Sequence, residues 1–133
     1  MFWKRLCCKS LLALSVLTTL PVAAWAGSIW LRAALEPVRR AESVGGTVCY
    51  RECGDRRSVS VEVHDIGGTD LVEVIAQKQS VGFIPLDETG AGSLYLDTNL
   101  GDEVPVLEEG ETIVVRDGYE GFRILQGTLE RVR

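Results

Sequence analysis

An α+β fold is what this sequence predicts: one small, mainly antiparallel β domain with a single short helix, preceded by an N-terminal membrane or signal helix. Three observations carry that expectation. Ser10 to Leu31 is a run of twenty-two residues without a charged side chain. Val59, Val61 and Val63 alternate with Ser60, Glu62 and His64, the period of a strand with one buried face. Leu71, Val74 and Ile75 fall at helical spacing behind Thr69, a residue suited to capping, with Asp70 and Glu73 placed to favour the positive end of a helix. Three segments follow from this reading: a signal peptide or signal anchor over 1–31, a juxtamembrane helix or linker over 32–46, and an exported α+β domain over 47–133.

The N-terminal segment admits two readings. Lys4, Arg5 and Lys9 precede the apolar run and hold the N-terminus on the cytoplasmic side. As a signal peptide, the core is Leu11 to Leu20, Pro21 breaks the helix, and Ala24-Trp25-Ala26 offers the small residues a signal peptidase requires. Cleavage after Ala26 gives a secreted or periplasmic protein. As an anchor, the run continues through Ile29-Trp30-Leu31 and reaches the ~20 residues that span a bilayer core, giving a single-pass membrane protein. Cys7 and Cys8 precede the apolar core, so neither is the lipid-bearing cysteine of a lipoprotein signal.

About 100 residues remain beyond this segment, room for one small domain. Their charge is uneven. Residues 32–57 carry six arginines against four acids, whereas residues 58–133 carry fifteen acids against five bases, a local charge of −10 within a net −5. An acidic domain is a poor partner for nucleic acid, whose phosphates require Lys and Arg, and for anionic lipid. It attracts basic partners, with an attraction that weakens as salt rises, and it also favours solubility.

Arg32 to Ser43 has helix-forming residues with Leu35, Val38 and Ala41 near helical spacing, interrupted by Pro37, and predicts a short helix or stalk ended by Gly45-Gly46. Thr47 to Tyr50 begins the folded domain as a strand. Cys49 and Cys53 stand three residues apart in C-Y-R-E-C. In an oxidising compartment such a pair predicts a local disulfide through a tight loop. The spacing departs from the C-x-x-C of redox motifs, and His64, the sole histidine, cannot complete a metal shell with two thiolates.

Gly54 to Arg57 reads as a polar turn and Val59 to His64 as a strand that leaves His64 on the polar face. The predicted helix runs from Asp70 to Lys78. Val81 to Leu86 and Leu94 to Leu96 read as strands joined through Gly90-Ala91-Gly92 as a long hairpin loop. Asp97 to Glu108 departs from a calcium loop, because Gly101 and Asp102 stand where an acid and then a glycine are wanted and Pro105 interrupts; it reads as a polar turn. Thr112 to Arg116 is apolar enough for a central strand, Asp117-Gly118 is a turn signal, and Phe122–Leu125 and Thr128–Val132 are the final strands.

Val106-Leu107, Glu109-Gly110, Ile113-Val114-Val115 and Gly121-Phe122-Arg123-Ile124 together resemble the later strands of bacterial SH3-like domains, over Leu94 to Val132. Phe122 stands where those domains often carry a tryptophan. The resemblance implies a peptide- or glycan-binding barrel and transfers no binding residue.

No catalytic group, metal-ligand set or cofactor motif is assigned from the sequence. Asp65, Asp70 and Asp97 are the acids an enzyme would draw on, but convergence in space cannot be read from their spacing. The functional expectation is a non-enzymatic binding or scaffold module beside a membrane with a protein partner; the alternatives are an SH3-like ligand-binding barrel, an enzyme with an acid-based site, and a calcium-dependent structural module.

Overall fold

The computed structural model describes residues 28–39 and 43–132, and over these the chain is built from strands. They are β1 (Ile29–Pro37), β2 (Gly45–Cys53), β3 (Arg56–His64), β4 (Leu71–Ala76), β5 (Gln79–Pro85), β6 (Gly92–Asp97), β7 (Thr112–Asp117), β8 (Arg123–Thr128) and β9 (Glu130–Arg131), with one 3-10 turn at Thr98–Leu100. The expected α+β class is therefore corrected: the described residues contain no α-helix. The predicted N-terminal helix lies outside the described residues, save for its last residues, Ile29-Trp30-Leu31, which open β1.

Two expected helices, the juxtamembrane one beginning at Arg32 and the domain's single helix from Asp70 to Lys78, are corrected to strands, for definite reasons. In β1 the relevant period is two. Leu31, Ala33 and Leu35 are buried while Arg32, Ala34 and Glu36 face solvent, and pairing with β2 from Ile29 to Leu35 outweighs the helix propensity of Ala, Leu and Glu. Counting Leu31 with the apolar N-terminal segment hid this alternation. In β4, Val72, Val74 and Ile75 are β-branched and fit a pleated sheet. Gln77 and Lys78 both adopt positive φ, 55° and 63°, the conformation of a tight two-residue turn that returns the chain as β5. A Gln-Lys pair lacks the asparagine or glycine that usually announces such a turn.

Every pairing is antiparallel, in the order β5-β4-β7-β8-β1-β2-β3-β6, with β9 pairing the first half of β1 where β8 pairs its end. The sheet curls into a near-closed barrel whose two outer strands, β5 and β6, face one another. The hairpin expected between them is absent: β6 pairs β3 and β5 pairs β4. Their seam is closed by side chains, Leu94 lying against Gly82 and Ile84 against Gly92.

Inward-facing residues from all layers meet in one core. Val59, Val61 and Val63 point inward as the alternation predicts, packed with Leu31, Val48, Tyr50, Val72, Val74, Ile113, Val115 and Leu125. Each such side chain contributes roughly 1.5–3 kcal/mol by leaving water. The 3-10 turn and the segment after it cover one end of the barrel with Val104 and Leu107, both buried. Arg57 Nε donates to the Val104 carbonyl at 3.0 Å and Gln77 Nε2 to that of Val106 at 2.8 Å, which holds this plug in place. At the opposite end β1 and β3 finish and β2 and β8 begin.

Candidate functional site

At that end, Pro37 closing β1, Arg39 and Val44 of the β1–β2 connection, Ile66 and Gly67 after β3, Phe122 before β8, and Arg123 and Ile124 opening β8 line a cavity of about 210 Å³. Three stretches distant in sequence supply it. The Val38 N–H donates to the Ile124 carbonyl at 2.9 Å, which extends the β1–β8 ladder to the rim. The Ile66 N–H donates to the Gly90 carbonyl at 3.1 Å and places the buried Ile66 side chain as the floor.

Phe122 owes its position to Asp117. The Asp117 carboxylate accepts from the Tyr119 and Glu120 N–H groups, and the Asp117 N–H donates to the Phe122 carbonyl at 2.8 Å. Hydrogen bonding from Thr69, then from the Glu120 backbone, holds the Asp117 carboxyl below the usual carboxylate range. Tyr119 donates its hydroxyl to Asp70 at 2.6 Å, and the Gly118 N–H reaches the Leu71 carbonyl at 2.9 Å, so the turn is tied to the start of β4. Phe122 is left 50 % exposed at the lip, and Val38, which follows β1 and bonds to Ile124, is 46 % exposed. A half-exposed aromatic beside a small apolar cavity is a surface suited to receiving an apolar side chain.

Cys49 and Cys53, the predicted disulfide, are both buried and are not bonded to each other. They stand on one uninterrupted strand, β2, where four residues span ~13 Å, far beyond the Cα separation of a disulfide. The tight loop expected through Tyr50, Arg51 and Glu52 does not exist; the chain turns at Gly54 and Asp55 instead. Cys49 accepts a hydrogen bond from Trp30 Nε1 at 3.2 Å, and the Arg51 guanidinium lies 4.4 Å from the centre of the Trp30 ring.

The acids named from the sequence are not brought together. Asp65 lies 3.2 Å from His64 Nδ1 on the exposed end of β3. Asp70 receives Tyr119. Asp97, 1 % exposed, forms an ion pair with Arg56 and accepts from the Tyr95 hydroxyl and the Asn99 N–H. The Arg56 bonds hold its carboxyl below the usual range, and its bond to Asn99 caps the 3-10 turn. Among the described residues no group of three or more His, Cys, Asp or Glu could hold a metal ion.

The fold and this cleft together define the chain as a small antiparallel β-barrel-like domain with an apolar cavity at one end. No protein-family model matches the sequence, and comparison with curated proteins finds no significant match. Of the cleft residues, the sequence pointed to Phe122, Arg123 and Ile124, through their place in the SH3-like pattern. Arg39, Val44 and Ile66 carried no signal, because only strand order brings them to one rim.

Proposed function

We propose that this domain is a binding module of the SH3-like kind, which receives an apolar side chain of a protein partner between Phe122, Ile66 and Val44. The observation that supports it is the half-exposed Phe122 beside a mainly apolar cavity at one end of the barrel. A cavity of this size suits one side chain rather than a substrate with its reacting groups, and its lining offers no nucleophile with a neighbouring base. We further propose export, with the barrel outside the cytoplasm. Cleavage after Ala26 would leave β1, which begins at Ile29, intact.

The test is selection of a displayed random-peptide library on the full-length protein in lipid nanodiscs. Enriched peptides are expected to lose about thirtyfold in affinity on Phe122→Ala, the order of a lost aromatic anchor worth ~2 kcal/mol. The melting temperature should hardly move, since Phe122 is half exposed already. Peptides indifferent to Phe122→Ala would place binding elsewhere and refute this reading.

A further inference from the structure

We infer that the partner segment is acidic around its apolar anchor, and that Arg39 and Arg123 read those carboxylates. This rests on the binding reading above and adds the chemistry of the ligand. Five residues lining the cleft are apolar, Pro37, Val44, Ile66, Phe122 and Ile124, and the two charged ones are both arginines. The surroundings make that pair informative. Five of the eight lining residues come from residues 58–133, with fifteen acids and five bases, and three from residues 32–57, with four acids and six arginines, so a cleft assembled without regard to charge would carry carboxylates as readily as arginines. This one has none among its lining residues.

The nearest acid in sequence to the cleft floor, Asp65, lies against His64. Both guanidiniums are exposed, and neither forms an ion pair with a described residue. Elsewhere Arg56 and Arg116 are engaged by Asp97 and Glu73. Among the described residues nothing pairs with the guanidiniums of Arg39 and Arg123, whose forks match carboxylates in a bidentate geometry. The charge complementarity is local and opposite in sign to the domain as a whole. An acidic segment is steered to this end of the barrel and repelled from the rest of its surface.

Three dye-labelled peptides test this on the full-length protein in nanodiscs of zwitterionic phosphatidylcholine: Gly-Asp-Phe-Asp-Gly, Gly-Asn-Phe-Asn-Gly and Gly-Lys-Phe-Lys-Gly, titrated by fluorescence anisotropy. The aspartate peptide is expected to bind about fivefold tighter than the asparagine peptide, and the lysine peptide weakest, since each exposed ion pair contributes a factor of roughly 1.5–5. In the Arg39→Gln, Arg123→Gln double variant the first two peptides should bind with equal affinity, with the melting temperature kept. A preference for aspartate that survives in this variant overturns the assignment to these arginines. Equal binding of all three peptides, abolished by Phe122→Ala, overturns the acidic partner and leaves the cleft standing. Failure of every peptide to bind, or binding blind to Phe122→Ala, removes the cleft reading and this inference with it.

Discussion

Leu94 occupies the space that a side chain on residue 82 would need: a Cβ built on Gly82 lies 2.9 Å from Leu94 Cδ2. The reciprocal contact is Ile84 against Gly92, where a Cβ would lie 2.6 Å from Ile84 Cγ2. Strands β5 and β6 share no ladder, so these two contacts close the barrel seam by packing alone. Glycine on each side lets the opposite core residue cross the gap.

Gly82→Ala is accordingly expected to cost about 1–3 kcal/mol through overpacking. The same substitution made on Leu94→Ala should cost much less, because the obstructing methyl groups are gone. Urea unfolding of the four proteins of this cycle measures the coupling. Additive costs would show that the seam tolerates a side chain at 82 without Leu94 having to move.

Asp97 makes stability depend on acid. Its carboxyl is held below the ordinary aspartate value by Arg56, so the folded state favours the ionised form. That contribution is complete above the unfolded aspartate pKa, about 3.9, and is lost as pH falls from there through the lower folded value. Asp97→Asn should lower stability at neutral pH by about 1–3 kcal/mol, moderated because Arg56 is partly exposed. It should also flatten the acid limb of the melting-temperature profile. An unchanged acid limb would mean that the Arg56 pair does not survive in solution.

Cys49 and Cys53 should be recovered as separate thiols. Arg51 lies between them, so trypsin digestion without reductant releases Cys49 and Cys53 on different peptides unless a disulfide joins them. Alkylation after unfolding is expected to label both. A joined peptide pair of disulfide mass would require β2 to be broken near Tyr50.

Asp117→Ala should weaken Phe122-dependent peptides several-fold, less than Phe122→Ala does, because it frees the turn that positions Phe122 without removing the ring. Anisotropy titration of the same peptides against both variants gives the comparison. A loss larger than that of Phe122→Ala would indicate that the turn itself, rather than the ring, meets the ligand.

Where local pattern and final environment agree, the sequence alone determined the structure. Val59, Val61 and Val63 alternate with polar residues and line the core; Thr112 to Arg116 is apolar on both faces and lies centrally as β7, between β4 and β8. Asp117-Gly118 turns where its residue types say it should. The acidic balance of residues 58–133 is likewise a property of composition. Tertiary structure decided the cases in which local preference is weak or opposed. Ala33, Ala34 and Leu35 favour a helix in isolation, yet become strand because β2 and the β8–β9 pair supply hydrogen-bonding edges on both sides. Cys49 and Cys53 are close in sequence, but an extended backbone carries them apart. The cleft is the extreme case: Arg39 and Val44 come from the β1–β2 connection, Ile66 from the segment after β3 and Phe122 from the one before β8, and a strand order that sets β8 beside β1 brings them to one rim. Long-range pairing fixes such neighbours, and no local period encodes it.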